Sequence, residues 1–137
     1  MIKLLTIIKV FIVYGKNEQL KKDVSTYVAE IGYKPVLVET NENISDTIIE
    51  SIEVLSKDVA YAIVILSEDD KVILNGQDNY KFRPRENVIF EFGYFISLLG
   101  RERVIVLNDI KGIFSDLNGV YYINKTNYKD ELKKYLN

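Results

Sequence analysis

The sequence predicts an α/β fold in which helices cover both faces of a mainly parallel sheet. Short apolar runs alternate along the chain with segments of helical periodicity, and this alternation is typical of strand-helix-strand units. The first and third apolar runs are nearly continuous, as expected for strands buried on both faces at the centre of a sheet. We therefore expect a three-layer sandwich with these two strands in its middle.

Five segments have the composition of strands. Each is rich in β-branched or aromatic residues and is bounded by polar or turn-forming residues. In chain order they are residues 9–14, 35–39, 59–66, 103–107 and 120–123. Right-handed crossovers that cover both faces of the sheet favour the flavodoxin-like strand order 2-1-3-4-5.

Four helices are predicted around these strands. The apolar face of the first helix consists of Leu20, Val24, Tyr27, Val28 and Ile31. The apolar face of the second consists of Ile48, Ile49, Ile52 and Leu55, and Ser45 is expected to be its N-cap. A third helix is expected within residues 84–103, and a fourth from Asn127 onward.

The third helix sets a carboxylate beside its apolar stripe. The stripe consists of Val88, Ile89, Phe92, Phe95, Ile96 and Leu99. At roughly 100° per residue, Glu91 lies about 100° from the centre of this stripe and about 40° from Asn87. We therefore expect Glu91 at the border of the buried face, neither fully solvated nor forced into the core.

Two residue types are missing, which excludes several kinds of site. Because the 137 residues include no His and no Cys, we exclude Ser-His-Asp and Cys-His nucleophile systems and zinc sites built from imidazole or thiolate. Without cysteines there are no disulfides, and a cytoplasmic location is the expectation. The formal net charge is -2 and no run of Lys and Arg is present, so nucleic acid is not an expected partner.

The apolar residues 1–14 are expected to form a buried strand, not a targeting or membrane segment. Lys3 and Lys9 interrupt the run, which is shorter than the roughly 20 residues that a spanning helix needs. No linker or internal repeat divides the chain, so residues 1–137 are expected to form a single domain without a membrane partner.

The loops at the carboxyl ends of the strands are expected to form the ligand site, as in other open α/β sheets. The loops at this edge are residues 15–17, 40–43 and 67–85. The last is unusually long for a compact domain, and such a loop is expected to be a functional lid or a disordered segment. Its end brings Arg85, Asn87 and Glu91 to the same edge.

Familiar phosphate motifs are absent from this edge. The sequence contains neither G-x-G-x-x-G after strand one nor G-x-x-x-x-G-K-[ST] anywhere. A response-regulator receiver would carry acids after strand one and Asp at the end of strand three, where this chain has Tyr14-Gly15 and Ser67. Asp69 and Asp70 are adjacent acids of a polar loop, for which a solvated role is more typical than a metal site, so no metal is expected.

Several segments together resemble one family. PRENVIFEFGYF followed by LGRERV resembles the hallmark of the bacterial TIR-like family of predicted nucleotide-binding domains. KVFIVYG, ILSEDD and SDLNGVYYI resemble that family's other blocks in the same order, so the likeness spans about residues 8–125. The resemblance implies a flavodoxin-like TIR fold and an NADase that cleaves NAD+ at the nicotinamide-ribose bond, with NAD+ as substrate and no cofactor.

The resemblance also implies partners. Members of this family occur in antiphage defence proteins, some of them fused to a STING domain that senses a cyclic dinucleotide. We therefore expect a cyclic-nucleotide-sensing domain in the same chain or in a partner chain. Because TIR domains commonly act when assembled side by side, we also expect an active homo-oligomer.

The family's catalytic glutamate falls on Glu91, within the motif R-x-N-V-I-F-E. The expected substrate-binding residues are Tyr14, Gly15, Lys16, Ser67, Asp69, Arg85 and Asn87. Tyr14 stands where many relatives have His, and Ser67 opens the segment that replaces their TPDD-like turn. These departures bear on the shape of the pocket and on substrate preference.

Two further interpretations remain open. Nucleoside deoxyribosyltransferases share the topology and carry a similar F-E-L-G-Y helix with a nucleophilic Glu. A catalytically silent TIR-like module would bind a nucleotide or recruit partners. On the helix itself, Phe90 and Tyr94 lie away from the apolar stripe, and we expect them to be covered either by a partner or by the loop of residues 67–85.

Overall fold

The computed structural model describes residues 6–38, 48–110 and 119–136. The elements in chain order are β1 (Lys9–Val13), α1 (Glu18–Glu30), β2 (Lys34–Val36), α2 (Ile48–Leu55), β3 (Val59–Leu66), β4 (Asp70–Ile73), β5 (Tyr80–Arg83), α3 (Glu86–Leu99), β6 (Val104–Asn108), β7 (Tyr121–Asn124) and α4 (Tyr128–Leu136). Among these residues, no helix is both long and apolar enough to cross a membrane.

Five strands form one parallel sheet in the order β2-β1-β3-β6-β7. Counted along the chain within this sheet, that is the predicted order 2-1-3-4-5, so the α/β, flavodoxin-like fold is confirmed. The strand bounds mostly differ from the prediction by one residue. β2 is shorter than predicted and ends at Val36, while Glu39 lies outside the described residues. It is an edge strand that pairs with β1 alone and contains Pro35, which cannot donate to a ladder.

Two apolar cores lie on opposite faces of the sheet. Alternation along β1 sends Val10 and Ile12 to the face covered by α1 and α4, and Phe11 and Val13 to the face covered by α2 and α3. The ring centroids of Phe11 and Phe95 are 4.5 Å apart. This second core holds α3 against the sheet, and α3 carries the candidate catalytic residue.

The helices match the prediction to different degrees. The predicted face of α1 is confirmed: Leu20, Val24 and Val28 are buried and the others are half-buried. In α2 only Ile52 of the predicted face is seen buried, and this short helix of two turns contributes that residue to the second core. Ile49 and Leu55 are exposed, whereas Ser45 and the side chain of Ile48 lie outside the described residues.

The segment 67–85 is neither a structureless lid nor a disordered loop. Most of it forms an antiparallel hairpin of β4 and β5, in which Asp70 pairs with Arg83 and Ile73 with Tyr80. The tip contains Gly76 at φ +80°, a conformation that suits glycine. The sequence contained part of the signal, because the turn dipeptide Asn75-Gly76 is followed by a run, residues 80–83, that alternates aromatic and basic residues.

Candidate active site at the carboxyl edge of the sheet

A small cleft of about 90 Å³ lies where β1 and β2 end and α3 begins. It is lined by Ile12, Tyr14, Gly15, Glu18, Val38, Arg85, Asn87 and Glu91. Five of the eight predicted site residues meet here: Tyr14, Gly15, Arg85, Asn87 and Glu91. Lys16, Ser67 and Asp69 do not line this cleft.

Glu91 is more deeply buried than its predicted position beside the apolar stripe indicated. Only 7% of its surface is exposed, and it lines the cleft from the second turn of α3. The expected border position is therefore wrong. Burial removes water from the carboxylate and raises the pKa of Glu91 to about 7 from its ordinary value of 4.5.

The rotation of α3 explains this burial. The residues of α3 that the sheet buries are Val88, Glu91, Phe92 and Phe95, whereas Ile89 and Ile96 are half-buried. The centre of contact therefore lies nearer Val88, from which Glu91 is only about 60° away at 100° per residue. Counting Ile89 and Ile96 as full members of the stripe displaced its calculated centre away from Glu91.

α3 begins at the cleft with an uncommon cap. Arg85 is the N-cap residue, yet its side chain makes no capping hydrogen bond, unlike the Ser, Thr, Asp or Asn usual there. Its carbonyl accepts from the N–H of Val88 at 3.0 Å, and its own N–H donates to Oδ2 of Asp69 at 2.8 Å. The backbone of Arg85 thus starts the helix while its side chain lines the cleft together with Asn87.

Tyr14, which follows β1, also lines the cleft. Its hydroxyl donates to the carbonyl of Val38 at 2.7 Å, which ties the end of β1 to the segment after β2. The ammonium of Lys21 lies 4.7 Å from the centroid of the Tyr14 ring, within cation-π distance. The ring is therefore held from both the hydroxyl end and one face.

Glu18 and Lys21 are site residues that the sequence analysis missed. Lys21 is almost completely buried for a lysine, with 8% exposure, because its ammonium pairs with Oε2 of Glu18 at 2.7 Å. The hydrogen bond from Lys21 lowers the pKa of Glu18. The available signal was an acid and a base spaced i, i+3 in the first turn of α1. Two carboxylates with opposite pKa shifts, Glu18 and Glu91, thus line one cleft.

The remaining predicted residues line a second hollow beside the first. It has a volume of about 390 Å³ and is lined by Lys16, Asn17, Ser67, Glu68, Asp69 and Asp109. The Asp69 carboxylate accepts from the backbone N–H groups of Lys16 and Arg85, and Asp70 pairs with the Lys16 ammonium at 3.0 Å. Nowhere in residues 6–38, 48–110 and 119–136 do three acids cluster as a metal site would require.

The two aromatic residues on the back of α3 have different surroundings. Tyr94 is half-buried and its hydroxyl lies 3.1 Å from Oγ of Ser56, so the end of α2 covers it. Phe90 remains 47% exposed. The alternative in which the loop of residues 67–85 covers this pair is therefore wrong, and coverage of Phe90 by a partner stays a prediction.

Comparison with known proteins gives one consistent family. The TIR domain of the CAP12/Pycsar effector proteins matches residues 9–127. The chain is 37% identical to Protein tirC of Dictyostelium discoideum over 141 residues, which cover 95% of this chain and 70% of that protein. It is 39% identical to the uncharacterized protein YuaY of Escherichia coli K12 over 116 residues, or 83% of this chain and 38% of YuaY.

A third relative carries a functional name. The chain is 37% identical over 86 residues to the Pycsar effector protein PaPycTIR of Pseudomonas aeruginosa. The match covers 61% of this chain and 27% of that protein. The chain thus spans less than half the length of YuaY and of PaPycTIR, and both relatives have further segments of their own.

Proposed function

The chain belongs to the TIR domain family of the CAP12/Pycsar effector proteins, and from this premise we propose that it is an NAD+ glycohydrolase of antiphage defence. It cleaves the bond between nicotinamide and ribose, uses NAD+ as its substrate without a further cofactor, and acts in the cytoplasm. The observation that carries the proposal is the buried carboxylate of Glu91 on the wall of the cleft, beside Arg85 and Asn87 of the same motif.

A single carboxylate suits this reaction. Nicotinamide is already cationic in NAD+ and leaves as a neutral molecule, so no general acid has to protonate it. The demanding step is the formation of an oxocarbenium-like ribose; water then adds to its anomeric carbon and releases a proton, which gives ADP-ribose. An ionised Glu91 stabilises that ribose by accepting hydrogen bonds from its hydroxyls and by opposing its positive charge.

The surroundings of Glu91 strengthen this stabilisation. A charge in a water-poor cleft interacts more strongly with a neighbouring opposite charge than it would in bulk water. Burial raises the pKa of Glu91 to about 7, so near neutral pH the empty cleft holds both protonation states. A bound cationic nicotinamide riboside favours the ionised state, because a nearby opposite charge lowers the pKa of a carboxyl.

Five of the other predicted residues contact the rest of the substrate. In this proposal Tyr14 stacks on a ring, Gly15 admits close approach of the backbone, and Asn87 binds beside Glu91. The pyrophosphate extends past the loop after β1, where Arg85 lines the cleft and Lys16 lines the neighbouring hollow. Both are cations, and Arg side chains are well suited to phosphate oxygens.

Activation is proposed to depend on assembly and on an upstream signal. PaPycTIR is named an effector protein, and an effector acts downstream of another component. We infer that a cyclic-nucleotide-sensing domain, in the same chain or in a partner chain, brings copies of the TIR domain together. The active form is then a homo-oligomer.

The decisive experiment compares three proteins incubated with NAD+ at high protein concentration, with nicotinamide separated by chromatography. We expect the wild type to release nicotinamide and Glu91→Gln to be roughly 10² to 10³ slower, the usual effect of losing one preorganised electrostatic contact. Glu86→Gln is the matched control, because Glu86 is exposed on the first turn of the same helix. Nicotinamide release undiminished in Glu91→Gln would end the proposal.

Two additions to this experiment separate the alternatives. Supplying a deoxynucleoside and a second free base tests base exchange, the reaction of a deoxyribosyltransferase-like enzyme. Forcing the protein into clusters on a multivalent support tests the silent module, because a domain without activity stays inactive when it is clustered.

A further inference from the structure

Asp69 lies at a junction of three segments of the chain. Its Oδ1 accepts a hydrogen bond from the backbone N–H of Lys16 at 2.9 Å and another from the hydroxyl of Ser67 at 2.6 Å. Its Oδ2 accepts one from the backbone N–H of Arg85 at 2.8 Å. One carboxylate therefore joins the loop after β1, the end of β3 and the start of α3.

The backbone of Asp69 extends this junction to the hairpin. Its N–H lies 3.1 Å from the carbonyl oxygen of Arg83 on β5 and 2.8 Å from that of Ser67. The base of the hairpin and the start of α3 are thus tied to the same residue. Asp70, the next residue, is different, since its carboxylate pairs with the exposed ammonium of Lys16 at 3.0 Å.

The charge of Asp69 suits its position beside α3. The N-terminal end of a helix carries a partial positive charge, and α3 has no side-chain cap of its own. A carboxylate that accepts the N–H of the N-cap residue Arg85 places a negative charge at this end. Hydrogen bonds to charged groups are about twice as strong as neutral ones, so the carboxylate stabilises this junction more than a neutral side chain would.

We propose that Asp69 is a positioning residue, which fixes the start of α3 against the loop after β1 and so holds Glu91 in its place on the wall of the cleft. The carboxylate acts through the backbone and not by contact with the substrate. This inference deepens the proposed NAD+ glycohydrolase function, and only its kinetic test rests on that function.

The first test is hydrogen exchange of Asp69→Asn and Asp70→Asn, followed by NMR. Both variants remove one negative charge, but an amide at position 69 offers one acceptor oxygen where the carboxylate offers two. It cannot serve the N–H groups of both Lys16 and Arg85. We expect at least one of these amides to exchange roughly tenfold to a hundredfold faster in Asp69→Asn, and both to keep wild-type rates in Asp70→Asn.

Wild-type rates for both amides in folded Asp69→Asn would overturn the proposal. A measurement on the wild type covers the case in which that variant does not fold. The amides of Lys16 and Arg85 lie outside the helices and strands, so they are protected only if the carboxylate holds them. We expect at least tenfold protection relative to an unstructured peptide, and an unprotected Arg85 amide would overturn the junction.

The kinetic test uses NAD+ with the same two variants. A displaced Glu91 stabilises the transition state less, whereas the binding of the substrate changes less. We therefore expect Asp69→Asn to lower kcat at least tenfold with a smaller effect on KM. Asp70→Asn should retain wild-type kcat, and full kcat in Asp69→Asn would overturn the positioning role. No cleavage by the wild type would overturn the proposed function, and the exchange rates alone would then decide the role of Asp69.

Discussion

The carboxylate of Asp69 occupies the space that a side chain on Gly15 would need. A Cβ placed ideally on Gly15 would lie 1.9 Å from Oδ2, 2.5 Å from Cγ and 2.6 Å from Oδ1 of Asp69. These separations are far inside van der Waals contact. Glycine is therefore required at position 15 by a neighbouring protein group, in addition to any close approach of substrate.

This packing predicts a strong coupling between the two positions. Gly15→Ala displaces the carboxylate and breaks its charge-assisted hydrogen bonds, so we expect it to destabilise the protein by about 3 kcal/mol. In an Asp69→Ala background the same change should lie within about 1 kcal/mol of neutral, because the clash is gone and alanine lowers the entropy of the unfolded chain. Urea unfolding of the four proteins in this double-mutant cycle measures the coupling; additive effects would contradict the packing.

The layout of the sheet was predictable because it depends on patterns that act locally. Continuous apolar runs identified β1 and β3 as central strands, and the spacing of Leu20, Val24 and Val28 identified the buried face of α1. Right-handed crossovers then leave few alternatives for the strand order. Residues following different strands consequently meet at one edge, which is why Tyr14, Arg85 and Glu91 could be assigned to a common site.

The features that the sequence did not predict depend on contacts between residues that are distant in sequence. The burial of Glu91 depends on which side of α3 contacts the sheet. Apolar periodicity alone does not show that Ile89 and Ile96 are only half-buried. The contact of Asp69 with Arg85 depends on the hairpin, which brings residues 16 positions apart together. Similarly, the pairing of Lys21 with Glu18 becomes a site feature only when Tyr14 is placed beside it.

Because Glu91 is buried, we expect its replacement by Gln to stabilise the folded protein at alkaline pH. The pKa is about 7 in the folded state and near 4.5 when exposed, so the folded protein binds this proton more tightly. Stability therefore falls as the pH rises from about 4.5 to 7, and the penalty is complete above 7. Since one pKa unit corresponds to about 1.4 kcal/mol, the full penalty is roughly 3 kcal/mol.

Urea unfolding at pH 5 and pH 8 measures this penalty as a difference between Glu91→Gln and the wild type. From pH 5 to pH 8, we expect the free energy of unfolding of the variant to rise by roughly 2 kcal/mol relative to that of the wild type. This is less than the full penalty, because part of the penalty is already present at pH 5. Glu86→Gln, at an exposed position of the same helix, should show no such change. Equal differences at both pH values for Glu91→Gln would mean that the carboxyl is not buried.

The same pKa predicts the pH dependence of NAD+ cleavage. If the ionised form of Glu91 stabilises the ribose, kcat/KM rises roughly tenfold per pH unit below 7 and levels above it, since this ratio reports the free enzyme. The midpoint for kcat should lie lower, because the cationic substrate lowers the pKa of the carboxyl. Initial rates from pH 5 to 9 provide the measurement. A flat profile for kcat/KM would assign the chemistry to another group.

Phe90 predicts the position of a contact between copies of the chain. It is 47% exposed and directly precedes Glu91, so a partner that covers it would sit beside the cleft. We expect Phe90→Asp to weaken self-association at least 30-fold, the effect of losing about 2 kcal/mol at an aromatic anchor. Light scattering across a concentration series measures the average mass of the assembly. Leu98→Asp is the control, because Leu98 is 49% exposed near the far end of α3 and should leave the mass unchanged. If Phe90→Asp associates like the wild type, or if the wild type stays monomeric at every concentration, the contact lies elsewhere or does not form.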